Sequence, residues 1–162
     1  MNYLIKLNDL VDNMLHEPTI LDMISNLKEQ LVHSNESFVW SNIKQASILK
    51  ALPEEIMSAW IFVLKKDIPS GCHFHPNSIQ HMVMVEGMGE SIVGGKSGKM
   101  IKFGSPDTPI NEIWYVIDKG IEHEFFPEGQ DMVVISFHTC EAHELEEVMC
   151  KSGESRLYER EL

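Results

Sequence analysis

From residue 38 onward the chain is a succession of short apolar runs closed by turn-forming residues roughly every ten positions, and this rhythm restricts the possible folds more than any other feature. The runs fall at residues 38–40, 47–49, 59–64, 81–85, 90–93, 100–103, 113–117, 122–126 and 132–137. Between them stand Pro69-Ser70-Gly71, Gly87-Met88-Gly89, Gly94-Gly95, Ser97-Gly98, Pro106-Asp107 and Pro127-Glu128-Gly129. Many short strands with such regular punctuation predict a mainly β fold, a sandwich or barrel, rather than alternating strand–helix units.

The first third follows a different period. Leu4, Leu7, Val11 and Met14 form the stripe of an amphipathic helix, which Pro18 interrupts. Thr19 and Asp22 resemble a capping signal, and Ile20, Ile24, Leu27 and Leu31 continue a second helix to about Val32. Two short helices with one apolar face each are expected to cover a sheet or a partner copy. Residues 141–149 again have helical spacing, ending near Gly153. The chain therefore divides into an N-terminal helical extension (1–35), a β-barrel domain (36–140), and a C-terminal helix and tail (141–162).

Composition narrows the function by exclusion. A formal net charge of −12 and a pI near 5 argue against nucleic acid or an anionic membrane surface as partner. No stretch approaches the ~20 apolar residues of a membrane span. The first nine residues carry Asn2, Asn8 and Asp9 where a secretion signal would stay apolar. Three cysteines, an odd count with no close pair, read as free thiols in a reducing compartment, so the expected location is cytoplasmic. No phosphate-cradling glycine loop, paired carboxylates or serine–histidine arrangement marks an organic cofactor site or a catalytic residue.

The most informative stretch runs from Gly71 to Gly89. His73 and His75, two apart on a strand, project from one face, so both imidazoles can meet one metal ion. Imidazole suits iron, zinc, copper or nickel, and manganese less well. Far downstream His123 follows the turn at Asp118-Lys119-Gly120, and a barrel can bring it beside the first two.

With these residues the chain resembles the cupins, small jelly-roll β-barrels with two short motifs. The first motif is a His-x-His pair, a glutamate after four residues and a glycine after six more. This chain supplies His73, His75, Gln80 and Gly87. The second motif has a proline, a glycine two on, a histidine three later and usually an asparagine. Here stand Asp118, Gly120 and His123, with Pro127 in the asparagine's place. The resemblance covers about residues 54–139 and leaves the N-terminal helices outside. It implies a cupin-like jelly-roll β-barrel, preceded by two short helices and followed by a C-terminal helix. It also implies a metal held by His73, His75, Gln80 and His123, and a homodimer in contact through the outer sheet face and the N-terminal helices.

The departure at position 80 carries chemistry. A glutamate would cancel one unit of a divalent cation's charge, whereas an amide oxygen cancels none. Gln80 is thus either a weak fourth ligand or an orienter of a histidine or bound water. Either the site holds its metal less firmly, or the cation keeps its full charge and becomes a stronger Lewis acid; three neutral histidines would also favour an anionic ligand. The arrangement resembles that of several cupin dioxygenases, which implies iron(II), with zinc, manganese or nickel as other candidates, and a small anionic substrate. The alternatives are a non-redox metal lyase or isomerase, a non-catalytic ligand-binding barrel, and a structural barrel with a vestigial site.

Neighbouring residues read more plainly. His81 should face away from the site, as should Cys72, Glu122 and Glu124, each one residue from a candidate ligand. His138 and Cys140 alternate on the last strand and can point inward together, while Cys150 carries no signal. Met82 and Met84 share the face of Gln80 and should line the interior. Trp60, Phe62, Trp114, Tyr115 and Phe125 are expected in the barrel core, where Tyr115 could serve as a proton donor.

Overall fold

The N-terminal stripes form the two expected helices, α1 (Asn2–Met14) and α2 (Pro18–Val32), in a computed structural model that describes residues 2–159. Helix α2 starts on Pro18 itself, with Glu17 as N-cap and no side-chain cap bond. The expected capping role of Thr19 and Asp22 is therefore not used. Proline's fixed φ suits the first helical position, where its missing N–H costs nothing.

The remaining elements follow in the order β1 (Phe38–Asn42), α3 (Ala46–Lys50), β2 (Ser58–Leu64), β3 (His73–Phe74), β4 (Gln80–Glu86), β5 (Gly89–Val93), β6 (Lys96–Lys99) and α4 (Ile110–Ile113). Then come β7 (Tyr115–Ile117), β8 (His123–Pro127), β9 (Met132–His138), a 3-10 turn at Ala142–Glu144, β10 (Glu146–Met149) and β11 (Ser155–Leu157). They make two antiparallel sheets, β1-β2-β9-β4-β7 and β11-β10-β3-β8-β5-β6. The fold is mainly β, as expected, but the sheets remain open and do not close into a barrel. At one side β1 meets the C-terminal segment through side chains: Trp40 Nε1–H donates to the Tyr158 carbonyl at 3.1 Å. At the other, β6 is exposed along its whole length.

Three expectations are corrected locally. Residues 47–49 form helix α3, because one turn that buries Ile48 satisfies the only apolar anchor there. The strand expected at 100–103 lies four residues earlier, at Lys96–Lys99, where it hairpins with β5. The C-terminal helix does not exist: residues 141–149 give the 3-10 turn and β10, which forms a hairpin with β11 around Gly153. Strand β10 completes the edge beside β3, and that tertiary pairing overrides helical propensity.

The core has two parts separated by the first sheet. Strands β2 and β9 are buried on both faces, which explains their unbroken apolar runs. On one face Ile61, Val63, Ile135 and Phe137 pack under the helices against Leu7 and Leu27. On the other, Trp60, Phe62, Met82 and Val134 face the second sheet. The helices thus cover their own sheet, so the outer face expected as a dimer contact is occupied within the chain. Trp114, expected in the barrel core, lies under the helices instead: it stacks on Phe137 and donates from Nε1 to Asn8 Oδ1 at 2.9 Å.

Cys72 and Cys150 form a disulfide, correcting the expectation of three free thiols; Cys140 stays free and buried. The cause is register. Met149 pairs with His73, so antiparallel pairing sets Cys150 opposite Cys72, with Cα atoms 5.5 Å apart. Disulfides persist in oxidising compartments, so the cytoplasmic expectation loses the cysteine argument on which it rested.

Candidate metal centre

His73 on β3 and His123 on β8 are direct partners in the ladder, so their side chains leave the sheet on the same side. His75 follows two residues after His73 and joins them. The ring centroids are 4.4 Å apart for His73 and His123 and 5.4 Å for each other pair. One ring nitrogen from each lies within 4.8 Å of the other two, and all three residues are buried.

The outward-facing nitrogens fix the tautomers. Nδ1 of His73 bonds the Gly71 carbonyl at 2.9 Å, that of His75 the Glu146 carbonyl at 2.8 Å, and that of His123 the Ile121 carbonyl at 2.8 Å. A carbonyl only accepts, so each Nδ1 carries the proton and each Nε2 presents a lone pair. His123 Nε2 is buried without a hydrogen-bond partner among the described residues. Such an orphan acceptor costs about 1–3 kcal/mol unless a cation or donor takes it. Burial, reinforced by the His73 ring, lowers the His75 pKa to about 4. Burial, with the His73 and His75 rings adding, holds His123 well below the usual histidine range. Both are neutral at physiological pH, the form that ligates metals. The donor set therefore fits a divalent ion.

Gln80 opens β4 and is also buried. Its Nε2 donates to Ser136 Oγ at 3.1 Å, Ser136 Oγ lies 3.0 Å from His138 Nε2, and His138 Nδ1 lies 2.9 Å from Ser78 Oγ. Gln80 Oε1 has no hydrogen-bond partner among the described residues. With His73, His75, Met82, Phe125 and Tyr158, Gln80 lines a cavity of about 30 Å³, room for one or two water-sized species.

His138 does point inward, its ring 5.2 Å from that of His75, but both of its nitrogens are engaged by serines. Cys140 is inward and inert, because burial pushes its thiol pKa up. His81 faces the helices, where Tyr3 Oη lies 3.1 Å from its Nε2. Glu122 is exposed and Glu124 half-buried, while Met82 and Met84 are fully interior. Tyr115 has its hydroxyl held by Ser91 at 2.9 Å.

Two motif glycines have distinct reasons. Gly87 combines φ +101° with a backbone so close that a Cβ would stand 2.8 Å from the Asp131 carbonyl oxygen and 2.9 Å from Met132 Cα. Gly120, at φ +75° with open space around it, allows the turn that lets its N–H donate to the His75 carbonyl at 2.9 Å.

The C-terminal hairpin brings three residues that the reading of 141–162 as helix and tail concealed. Glu147 on β10 is 1% exposed and accepts from Arg156 Nε at 3.0 Å. The Arg156 guanidinium lies 5.0–5.5 Å from the ring centroids of Phe38, Trp40 and Tyr158. Tyr158 walls the cavity, its hydroxyl pKa raised by burial and by Glu147. The available signal was Gly153, a turn residue between two short runs of strand length.

No family model matches the sequence, and no curated protein is recognisably similar to it. Solved structures are similar in fold. The DMSP lyase DddQ from Ruegeria pomeroyi DSS-3 superimposes with a TM-score of 0.53 at 13% identity, over 73% of this chain and 54% of that one. A point mutant of salicylate 1,2-dioxygenase from Pseudoaminobacter salicylatoxidans gives 0.52 at 12%, over 71% and 32%. Vicilin from hazelnut (Corylus avellana) gives 0.52 at 14%, over 72% and 33%. The chain has the cupin fold. Within the cupin fold the two motif segments of this chain meet on one ladder, β3 with β8, and that pairing turns spacing into a three-histidine cluster. The chain spans only about a third to a half of these three cupin-fold chains.

Proposed function

We propose that His73, His75 and His123 hold a divalent metal ion, iron(II) in preference to zinc, manganese or nickel, and that the chain is a dioxygenase-like enzyme for a small anionic substrate. The observation that carries this reading is the convergence of three buried imidazoles whose Nδ1–H groups are all spent on backbone carbonyls. Bound there, iron(II) would supply redox chemistry with dioxygen, and any of the four ions would supply Lewis acidity.

The chain's own residues do the rest. The carbonyls of Gly71, Glu146 and Ile121 hold the rings in one tautomer and one orientation. Ser136 takes the Gln80 amide N–H, so Oε1 is left as a neutral ligand for the metal or an acceptor for a water beside it. Three imidazoles and an amide put no negative charge directly on the ion, and the nearby Glu147 carboxylate is paired with Arg156, so an anionic group is favoured at the open positions. Met82, Phe125 and Tyr158 give the cavity an apolar wall that limits water. Its small volume admits a compact reactive group, rather than a bulky one, beside His73 and His75. The uncharged Gln80 also favours a second reading, a Lewis-acid lyase or isomerase. The fold is compatible with both, since its neighbours include a dioxygenase and a lyase.

The test is metal content by mass spectrometry on untagged protein purified without chelator, beside a His73→Ala/His75→Ala control, followed by oxygen uptake with iron(II). Stoichiometric iron that disappears in the control, with substrate-dependent oxygen uptake, is the expected result. Stoichiometric zinc, manganese or nickel without oxygen uptake would move the assignment to the lyase or isomerase. No metal even after reconstitution would overturn both.

A further inference from the structure

The motif position that ordinarily bears a carboxylate is Gln80, yet a carboxylate stands beside the triad from outside both motifs. Glu147, on β10, is among the most buried charged side chains, at 1% exposed. Burying a carboxylate is costly and is sustained only where its charge is answered. Oε2 is answered by Arg156, its direct cross-strand partner on β11. Oε1 makes no hydrogen bond of good geometry among the described residues; the Tyr158 hydroxyl also faces this carboxylate, and Oε1 lies 3.9 Å from Nδ1 of His73.

That Nδ1 already donates to the Gly71 carbonyl, so the approach of Oε1 is electrostatic rather than a second strong hydrogen bond. A cation on the far nitrogen of an imidazole draws electron density through the ring and leaves Nδ1–H more positive. Negative charge behind the ring stabilises that polarisation and raises ligand basicity. We infer that Glu147 is a positioning residue of the metal centre, acting through His73 to provide from the C-terminal hairpin the negative charge that Gln80 lacks. The inference rests on the proposed metal reading and deepens it. The same strand delivers the Glu146 carbonyl to His75, and the Cys72–Cys150 bond fastens its end next to His73. One hairpin therefore holds two of the three ligands from behind.

A purely structural role, a pin between β10 and β11, predicts a different result. The discriminating experiment is titration of the metal-free full chain with Co²⁺, read by visible d–d absorption, for wild type, Glu147→Gln, Arg156→Gln and His123→Ala. Glu147→Gln keeps the shape and removes the charge, and should weaken Co²⁺ binding about 10- to 100-fold. Arg156→Gln leaves the Glu147 charge unanswered, and should bind Co²⁺ at least as tightly as wild type although it melts at a lower temperature. A loss in Glu147→Gln beside affinity retained or raised in Arg156→Gln supports the inference. Unchanged affinity in Glu147→Gln, or parallel losses that follow thermal stability, would overturn it. Should Glu147→Gln not fold, Arg156→Gln decides alone: affinity retained or raised supports the charge role, and a loss defeats it. Wild type that binds no Co²⁺ would overturn the triad reading itself, and this inference with it. Wild-type binding abolished by His123→Ala keeps the triad whatever Glu147 does.

Discussion

His73 and His123 occupy one rung of the β3–β8 ladder, and each turns its Nδ1 to the carbonyl two residues upstream, Gly71 for one and Ile121 for the other. The shared local geometry brings together two rings from strands separated by some fifty residues of chain, their planes meeting at 67°, and leaves both Nε2 atoms free for one ion. His75 has its Nδ1 engaged instead by a long-range bond to the Glu146 carbonyl.

Because His123 Nε2 is the buried acceptor left without a partner, it is the most sensitive place to probe the centre. His123→Ala should reduce divalent-metal affinity by more than about 100-fold, since loss of mere outer partners already costs 10- to 100-fold. A further consequence is thermal. Metal at a hundred times the wild-type Kd should stabilise wild type by about 2.7 kcal/mol, and His123→Ala by less than about 0.4 kcal/mol. Melting with and without added metal checks both.

Acid should destabilise the metal-free protein well above the carboxylate range. His75 has a folded-state pKa of about 4, caused by burial and then by His73, against an ordinary value of 6.5. Burial also holds His138 and His123 well below that value. Below pH 6.5 the unfolded chain takes up protons that the folded chain refuses, so this stability is complete above pH 6.5 and is lost as pH falls toward the folded pKa values. His75 alone accounts for about 3 kcal/mol by pH 4. Urea midpoints at pH 7.5, 6 and 5 should decline in that order; equal midpoints would contradict the burial of neutral imidazoles.

How much of this the residues disclose in advance depends on whether the controlling contact is local. The pair His73 and His75 is legible because strand alternation is a two-residue rule, and the helices are legible because Leu7, Val11, Ile24 and Leu27 keep one period. Glu147 and Cys150 are not, since their places follow from the β10–β3 register, a pairing between segments more than seventy residues apart. Read alone, residues 141–149 have helical spacing; only the unpaired edge of β3 makes them a strand. Trp114 is displaced for a similar reason: α4 ends before it and turns its ring out to Asn8 and Phe137 rather than into the space between the sheets.

The two sides of the first sheet should be separable by mutation. Leu27 is buried between α2 and the sheet face that looks away from the triad. Leu27→Ala should cost about 2–5 kcal/mol of stability, as large-to-small core changes do. Metal affinity of the folded fraction should stay within twofold of wild type. Chemical denaturation and metal titration on the same preparation would expose any coupling between the helical layer and the site.

The motif glycines should rank by crowding as well as by φ. Gly87→Ala must adopt φ near +101° and also drive a Cβ against the Asp131 and Met132 backbone. Gly120→Ala meets only the left-handed backbone, worth about 1–2 kcal/mol. The first substitution should therefore lower the melting temperature clearly more than the second. Equal shifts would mean that the close approach at Gly87 relaxes freely.

The Cys72–Cys150 bond makes the last prediction. It closes a span of 78 residues that contains all three histidines of the cluster and fixes β10 beside His73. A cross-link of this reach restricts the unfolded chain strongly, and its removal should cost about 2–4 kcal/mol. Cys72→Ser should reproduce the stability loss seen on reduction with dithiothreitol, and the reductant should then have no further effect on the variant. Since β10 carries the Glu146 carbonyl that orients His75, the same change should also weaken metal binding, whereas Leu27→Ala should not. Intact mass before and after alkylation establishes the bond. A wild-type chain that alkylates at all three cysteines without reduction would remove the cross-link and this prediction together.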